Sequence, residues 1–213
     1  MMTAETAISH RTHRSQPNGP ETARQLSGRI RMSLMKTPRP ATVEDLVRMP
    51  EDGYKYELVD GAIEVSPGGM RHAKVGGKIF YLLKRTADRT GEGEVYGPDV
   101  GLTLPNGNVR SPDVCYVRRE KLPGGESPEG FGEVVPDLVV EVLSPGDRMR
   151  QVAGKIGEFL DAGTPLVWLV DPKSRTVTIY RSLSDTKHLT ENDTIDAEPV
   201  LPGFSVRVSE FFG

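Results

Sequence analysis

Pro136-Asp137-Leu138-Val139-Val140-Glu141-Val142-Leu143-Ser144-Pro145 is an apolar run closed by a proline at each end. From Leu138 to Leu143 every residue but one is Leu or Val, the composition of a strand buried on both faces of a sheet. The exception is Glu141. A carboxylate inside such a strand is costly unless a cation or hydrogen bonds compensate it. Taken alone, Glu141 leaves two readings open. It reaches water near a strand end, or it holds a metal ion.

Downstream, a helix is predicted from Arg148 to Ala162, with Asp147 as its cap and Met149, Val152, Ile156, Phe159 and Leu160 as its buried stripe. Lys155 lies at the margin of that stripe, so its amine either reaches solvent or turns in towards the sheet. Gly163 closes the helix. Pro165-Leu166-Val167-Trp168-Leu169-Val170-Asp171 reads as a second buried strand. Strand, helix and strand then form a right-handed crossover, which implies a parallel pair. Thr176–Tyr180 is expected as an antiparallel edge strand. Phe204, Val206, Val208, Phe211 and Phe212 are expected to pack back onto the body.

Upstream, Met70 to Arg89 is the longest helix candidate, with Val75, Ile79, Leu82, Leu83 and Thr86 on one face. Gly76-Gly77 would allow close approach of another backbone. His72, in the first turn, reads as a surface or packing residue before a catalytic one. Glu94 to Leu104 is predicted as one strand and Val109 to Val117 as the next, with Asp113 directly after Pro112. Lys121 to Glu133 reads as an exposed loop. Tyr54 to Ser66 is a hairpin signal. Asp60-Gly61 suits a type I′ turn, which pairs Val59 with Ala62, Leu58 with Ile63, Glu57 with Glu64 and Tyr56 with Val65. Glu57 beside Glu64 is a like-charge pair that destabilises a sheet. Either both point into water near Lys55, or a basic group satisfies at least one. Thr42 to Met49 reads as a short capped helix.

Residues 1–40 lack an apolar period and read as a disordered extension with a modest basic excess, preceding a folded domain over 41–213. Met32 and Met35 stand where folded sequence begins, and translation is expected to start at one of them. The chain has 213 residues and a net charge of −3, so no global attraction to nucleic acid exists and a DNA-binding role would need a local basic surface. No apolar stretch approaches the roughly 18 residues of a membrane span. No secretory signal is evident, and a cytoplasmic setting is expected. The single cysteine, Cys115, excludes an intrachain disulfide and reads as a buried thiol.

The expected architecture is α/β (α+β), a mixed central sheet with flanking helices and an N-terminal β-hairpin. Asp113 starts one strand and Glu141 sits inside another, so the sheet can place both carboxylates on one side. Two such acids raise each other's pKa unless a divalent cation binds them. Oxygen ligands suit Mg2+ or Mn2+, whereas few His and one Cys argue against zinc. Lys155 is the candidate to stabilise negative charge beside such a site, since its helix leaves the Glu141 strand directly.

Pro112-Asp113 followed by Glu141-Val142-Leu143 resembles the PD-(D/E)XK nuclease pattern. The stretches Tyr56-Glu57-Leu58-Val59-Asp60-Gly61, Arg110-Ser111-Pro112-Asp113-Val114, Pro136 to Pro145 and Leu166 to Pro172, in this order, resemble the Uma2 family, a bacterial group described as restriction endonucleases. The resemblance covers residues 40 to 208. It implies a restriction-endonuclease-like fold, with Asp113, Glu141 and the Val142 carbonyl binding Mg2+ or Mn2+. Leu143 stands where the superfamily pattern has lysine, and the resemblance implies that Lys155 takes that role. Glu57 supplies an additional acid, with Glu64 as its rival. His72 recurs in the family pattern without a mechanism.

The implied reaction is hydrolysis of a DNA phosphodiester. The alternatives are a nuclease-fold binding or regulatory module that cuts nothing, and a metal-dependent hydrolase of small phosphate esters. A homodimer could assemble a basic cleft from Lys74, Lys78, Lys84, Arg85, Arg148 and Arg150.

Overall fold

The computed structural model of the chain describes residues 39–66 and 69–213. The expected disordered extension and the two candidate start methionines lie outside the described residues, apart from positions 39 and 40. In chain order the elements are α1 (Val43–Val47), β1 (Lys55–Val59), β2 (Ala62–Ser66), α2 (Met70–Thr90), β3 (Gly93–Tyr96), β4 (Leu102–Thr103), β5 (Val109–Arg110), β6 (Val114–Arg118), β7 (Leu138–Val142), α3 (Met149–Asp161), β8 (Leu166–Asp171), β9 (Thr176–Tyr180), β10 (Thr186–Thr190), β11 (Thr194–Asp196) and β12 (Ser205–Arg207). This is the mixed α/β architecture expected from the sequence.

The central sheet has six strands in the order β10-β9-β8-β7-β6-β3. β7 and β8 are its parallel pair, joined through α3, and the other neighbours are antiparallel. Residue alternation along β7 sorts the two faces. Leu138, Val140 and Val142 join a core with α2 and the C-terminal segment, where Trp168 packs on Phe204 and Phe211 at centroid distances of 5.7 and 6.0 Å. Val139 faces the other way, into a core with Cys115, Val167, Leu169 and the α3 residues Ile156 and Phe159. Each such buried side chain contributes roughly 1.5–3 kcal/mol. Glu141 shares parity with Val139, so it points to the α3 side.

A second sheet of four strands, β2-β1-β5-β4, carries the hairpin. Its register matches the expected one, including Glu57 opposite Glu64. Asp60 and Gly61 both have positive φ, 48° and 73°, as a type I′ turn requires. A Cβ on Gly61 would also meet the Pro40 side chain at 2.8 Å, so this position needs glycine for two reasons.

Several expectations need correction. Glu94 to Leu104 is not one strand. The chain leaves the central sheet after Tyr96 at Gly97-Pro98 and joins the smaller sheet at Leu102. Val109 to Val117 likewise divides at Ser111-Pro112-Asp113, with β5 in one sheet and β6 in the other. Proline has no N–H to give a ladder, so both breaks fall at a proline. β9 is not an edge strand, because β10 covers it. β10 (Thr-Lys-His-Leu-Thr) buries only Leu189, too little alternation to signal a strand. Asp147 does not cap α3; its Oδ2 accepts the Ser144 N–H at 2.7 Å and closes the preceding turn. Met149 is exposed instead of buried. A Cβ at Gly76 or Gly77 would meet nothing within 4 Å, so neither glycine serves a close backbone approach.

Candidate active site

Antiparallel pairing of Val114 with Val140, carried one residue further, sets Asp113 opposite Glu141 where the two sheets meet. Asp113 is buried and fully engaged. Its Oδ2 accepts the Val142 backbone N–H at 2.8 Å and lies 2.9 Å from His72 Nε2. Its Oδ1 accepts Lys55 Nζ at 2.8 Å. Burial alone would raise the Asp113 pKa. The His72 hydrogen bond and the charges of Lys55, His72 and Lys155 outweigh it and hold the carboxyl well below the usual carboxylate range. In return, the hydrogen bond to Asp113 pushes the His72 imidazole up.

Glu141 stands in the opposite condition. Burial pushes its carboxyl up to about 7, the Lys155 charge opposes this and the Asp113 charge adds to it. Its Oε1 is buried 2.9 Å from Lys155 Nζ, in an ion pair that lacks the alignment of a hydrogen bond. The same amine lies 2.9 Å from Glu57 Oε1 and donates to the Ser111 carbonyl at 3.1 Å. Burial would lower the Lys155 pKa, but Glu141, Glu57 and Asp113 raise it further, so the amine stays an ammonium. Of the two directions open to Lys155 in the sequence, the inward one is realised.

Glu57 points inward as well. It is buried, its Oε1 accepts the Ser111 N–H at 2.7 Å, and its Oε2 lies 3.3 Å from Arg110 Nη1. Burial would raise its pKa; Lys155, Lys55 and Arg110 together bring it below the ordinary value. Basic groups therefore resolve the Glu57–Glu64 conflict. Glu64 lies 4.0 Å from Arg110 Nη1 with 29% of its side chain exposed, and makes no contact with Lys155 among the described residues. The chain break at Ser111-Pro112 is what permits this. It frees the Ser111 N–H for Glu57, the Ser111 carbonyl for Lys155 and the Ser111 hydroxyl for Pro98 O at 2.6 Å.

All four side chains singled out in the sequence (Glu57, Asp113, Glu141 and Lys155) thus meet at one place. The pattern passed over Lys55, Arg110 and Glu158, and left His72 without a partner. Lys55 carried a usable signal, because it lies two residues before Glu57 on the same face of β1. Among the described residues, no three His, Cys, Asp or Glu side chains form a ready metal cluster. Asp113 and Glu141, with the Val142 carbonyl at the same strand end, are a hard oxygen donor set. Mg2+ usually takes only one or two carboxylates and completes its shell with water. The buried Glu141 oxygen without an aligned hydrogen bond is what such a cation would satisfy.

The model of the Uma2 family, described as "Putative restriction endonuclease", matches residues 43–209. The chain belongs to the Uma2 family. This makes it a member of a nuclease family. Its fold is similar to the crystal structure of a "putative nuclease belonging to DUF820" from Anabaena variabilis ATCC 29413, with a TM-score of 0.72 and 19% sequence identity over 81% of this chain and 98% of that one. None of the curated proteins matches. In this Uma2 member β7 ends at Val142, an apolar Leu143 follows it, and the amine beside Glu141 is that of Lys155 on α3. Among the described residues no helix is long and apolar enough to cross a membrane.

Proposed function

We propose that this Uma2 member is a divalent-metal-dependent endonuclease that hydrolyses DNA phosphodiester bonds in the cytoplasm. One observation carries the reading: a single ammonium, Lys155, sits between Glu141 and Glu57 beside Asp113, delivered by the helix that follows the Glu141 strand. Asp113, Glu141 and the Val142 carbonyl would hold Mg2+ or Mn2+, which supplies Lewis acidity towards a phosphoryl oxygen. Lys155, held as an ammonium, stabilises the negative charge that builds on the phosphate. Glu57 orients that amine, as do the Ser111 carbonyl and Glu141. His72 and the Val142 N–H fix the Asp113 carboxylate. Lys55 Nζ, 2.8 Å from Asp113 Oδ1, is a second cation at the same cluster.

A local basic surface answers the net negative charge. Arg71, Lys74 and Arg85 are exposed on α2, and Lys78 is partly exposed; none of the four has a carboxylate partner among the described residues. With Tyr81 they fall three and four residues apart, on one helix face. Lys78 Nζ and Arg85 Cζ lie 5.6 and 5.9 Å from the Tyr81 ring centroid. Arg71 directly precedes His72 in the chain, in the first turn of α2. Arg148 and Arg150, at the start of α3, are exposed too. Lys84 drops out of the basic set, because Asp88 and Glu94 neutralise it at 2.5 and 2.7 Å. A homodimer pairing two such faces would give sedimentation at twice the monomer mass, and a monomer at working concentration would exclude it.

The second reading is a non-catalytic module. It is favoured by the fact that Asp113 and Glu141 are already paired with Lys55, His72 and Lys155. Calorimetry with Mg2+ and Mn2+ on wild type, Asp113→Ala and Glu141→Ala, with plasmid nicking in the same preparations, separates the two. Binding and nicking that both vanish in the variants support the nuclease. No binding in wild type leaves the module. Release of phosphate from small esters without plasmid nicking would assign a different hydrolase.

A further inference from the structure

Glu158 is a further partly buried carboxylate near the site, one turn beyond Lys155 on the same face of α3. It accepts from donors on both of its oxygens. Oε1 takes Asn106 Nδ2 at 2.9 Å and Asn108 Nδ2 at 2.6 Å. Oε2 takes Arg110 Nε at 2.7 Å, and Arg110 Nη2 closes the fork. An ionised carboxylate offers about four acceptor positions, so this one is saturated. Burial would raise its pKa, and the hydrogen bonds from Arg110, Asn106 and Asn108 bring it below the ordinary value.

The donors come from one short piece of the smaller sheet. Asn108 and Arg110 are two residues apart and share a face of the strand. Asn106 belongs to the turn before them, and its Oδ1 accepts the Asn108 N–H at 3.1 Å. Asn108 also reaches the hairpin turn, where its Oδ1 accepts the Asp60 N–H at 2.8 Å. Glu158 is therefore tied to both turns of the smaller sheet and to Arg110, which in turn touches Glu57. α3 otherwise packs on the central sheet by Ile156 and Phe159, with Val152 and Leu160 beside them. Lys155 has to span the boundary between the two sheets, with Glu141 on one side and Glu57 on the other.

We propose that Glu158 is a positioning residue: it locks α3 to the smaller sheet and so sets where the Lys155 ammonium stands between Glu141 and Glu57. This rests on the nuclease reading for its effect on turnover, but not for its effect on Lys155. Glu158→Gln keeps the shape and removes the anion facing Arg110; Asn108→Ala loosens the lock without touching the Arg110–Glu57 contact. Each variant is assayed for plasmid nicking, for Mn2+ affinity by calorimetry, and for acylation of Lys155 by acetic anhydride, read by mass spectrometry against the remaining lysines.

The expected result for Glu158→Gln is a kcat lower by roughly tenfold or more, as loss of alignment gives. KM and Mn2+ affinity stay unchanged, and acylation at Lys155 rises several-fold. Asn108→Ala moves the same quantities in the same direction by less. Wild-type nicking and wild-type Lys155 acylation in both variants would overturn the proposal. A parallel loss of Mn2+ affinity would overturn it too, since it would show general damage to the site. If Glu158→Gln does not fold, Asn108→Ala decides alone. If the wild type cuts nothing, the nuclease reading fails separately, and unchanged Lys155 acylation would then refute the positioning role by itself.

Discussion

The two banks of the site treat the same kind of group in opposite ways. On one bank Asp113 receives Lys55, His72 and a backbone N–H, and its charge is secured. On the other, Glu141 has one ammonium that it shares with Glu57, and burial keeps its carboxyl half inclined to hold a proton. On the first bank the protein itself compensates the charge. The second has spare acceptor capacity in a buried place, since Glu141 Oε1 has an ion pair but no aligned hydrogen bond. On the metal-binding reading proposed above, Glu141 is the acid with more to gain from a cation.

Removing each acid tests this most severely. Asp113→Ala and Glu141→Gln should both abolish metal-dependent nicking, but their stabilities should diverge. Asp113→Ala leaves the part-buried Lys55 ammonium without its counter-charge, and the His72 ring and the Val142 N–H without their acceptor, and should lose about 3 kcal/mol or more. Glu141→Gln removes a carboxylate that burial disfavours, leaves Lys155 paired with Glu57, and should stay within about 1 kcal/mol of wild type. Urea unfolding at neutral pH without metal gives both numbers, and equal losses would break the comparison.

Added Mn2+ comes next in size. At a hundred times its Kd it should stabilise wild type by about 2.7 kcal/mol. Neither acid variant should respond, and thermal unfolding with and without the ion reports it. The pH response is smaller and its sign is fixed by the shifts. The Glu141 pKa is raised from 4.5 to about 7, so the folded state holds the proton more tightly than the unfolded one. Its contribution is fully present below pH 4.5 and is lost as pH rises through about 7. The Asp113 pKa is lowered, so its contribution is present above the unfolded value and is lost in acid. Unfolding followed from pH 4.5 to 7 should show a decline in wild type that Glu141→Gln lacks, while Mn2+ affinity climbs over the same interval. The smallest effect concerns the α2 face. Replacing Lys78 and Arg85 by Gln should make the slope of log K against log salt for duplex binding shallower, by about 0.9 for each phosphate that is no longer neutralised. Fluorescence anisotropy across a salt series reads that slope, and an unchanged one would move the DNA elsewhere.

The sequence was most readable where one local rule acts. The Asp60-Gly61 turn dictates its whole hairpin, and the apolar runs on either side of α3 dictate the parallel pair. It was least readable where the chain passes between sheets. Val109 to Val117 looks continuous, and only the absence of one N–H at Pro112 diverts it, an absence that an edge strand would tolerate. β10 escaped because its burial is nearly all backbone pairing. In the site, the acids stood out because charge inside an apolar run is conspicuous. Lys155 stood out by its place on the helix after the Glu141 strand, but Lys55, Arg110 and His72 did not, because they lie in stretches where a polar residue is ordinary and their meaning comes from partners distant in the chain.

That distance carries a consequence for how the site is born. Val142 and Asp113 are 29 positions apart, His72 and Asp113 41, Lys155 and Ser111 44, Ser111 and Glu57 54, and Lys55 and Asp113 58. No helix turn or hairpin can preassemble any of these contacts, and each waits for the closure of a long loop. The cluster therefore exists only once the two sheets have come together, and no local segment carries it alone.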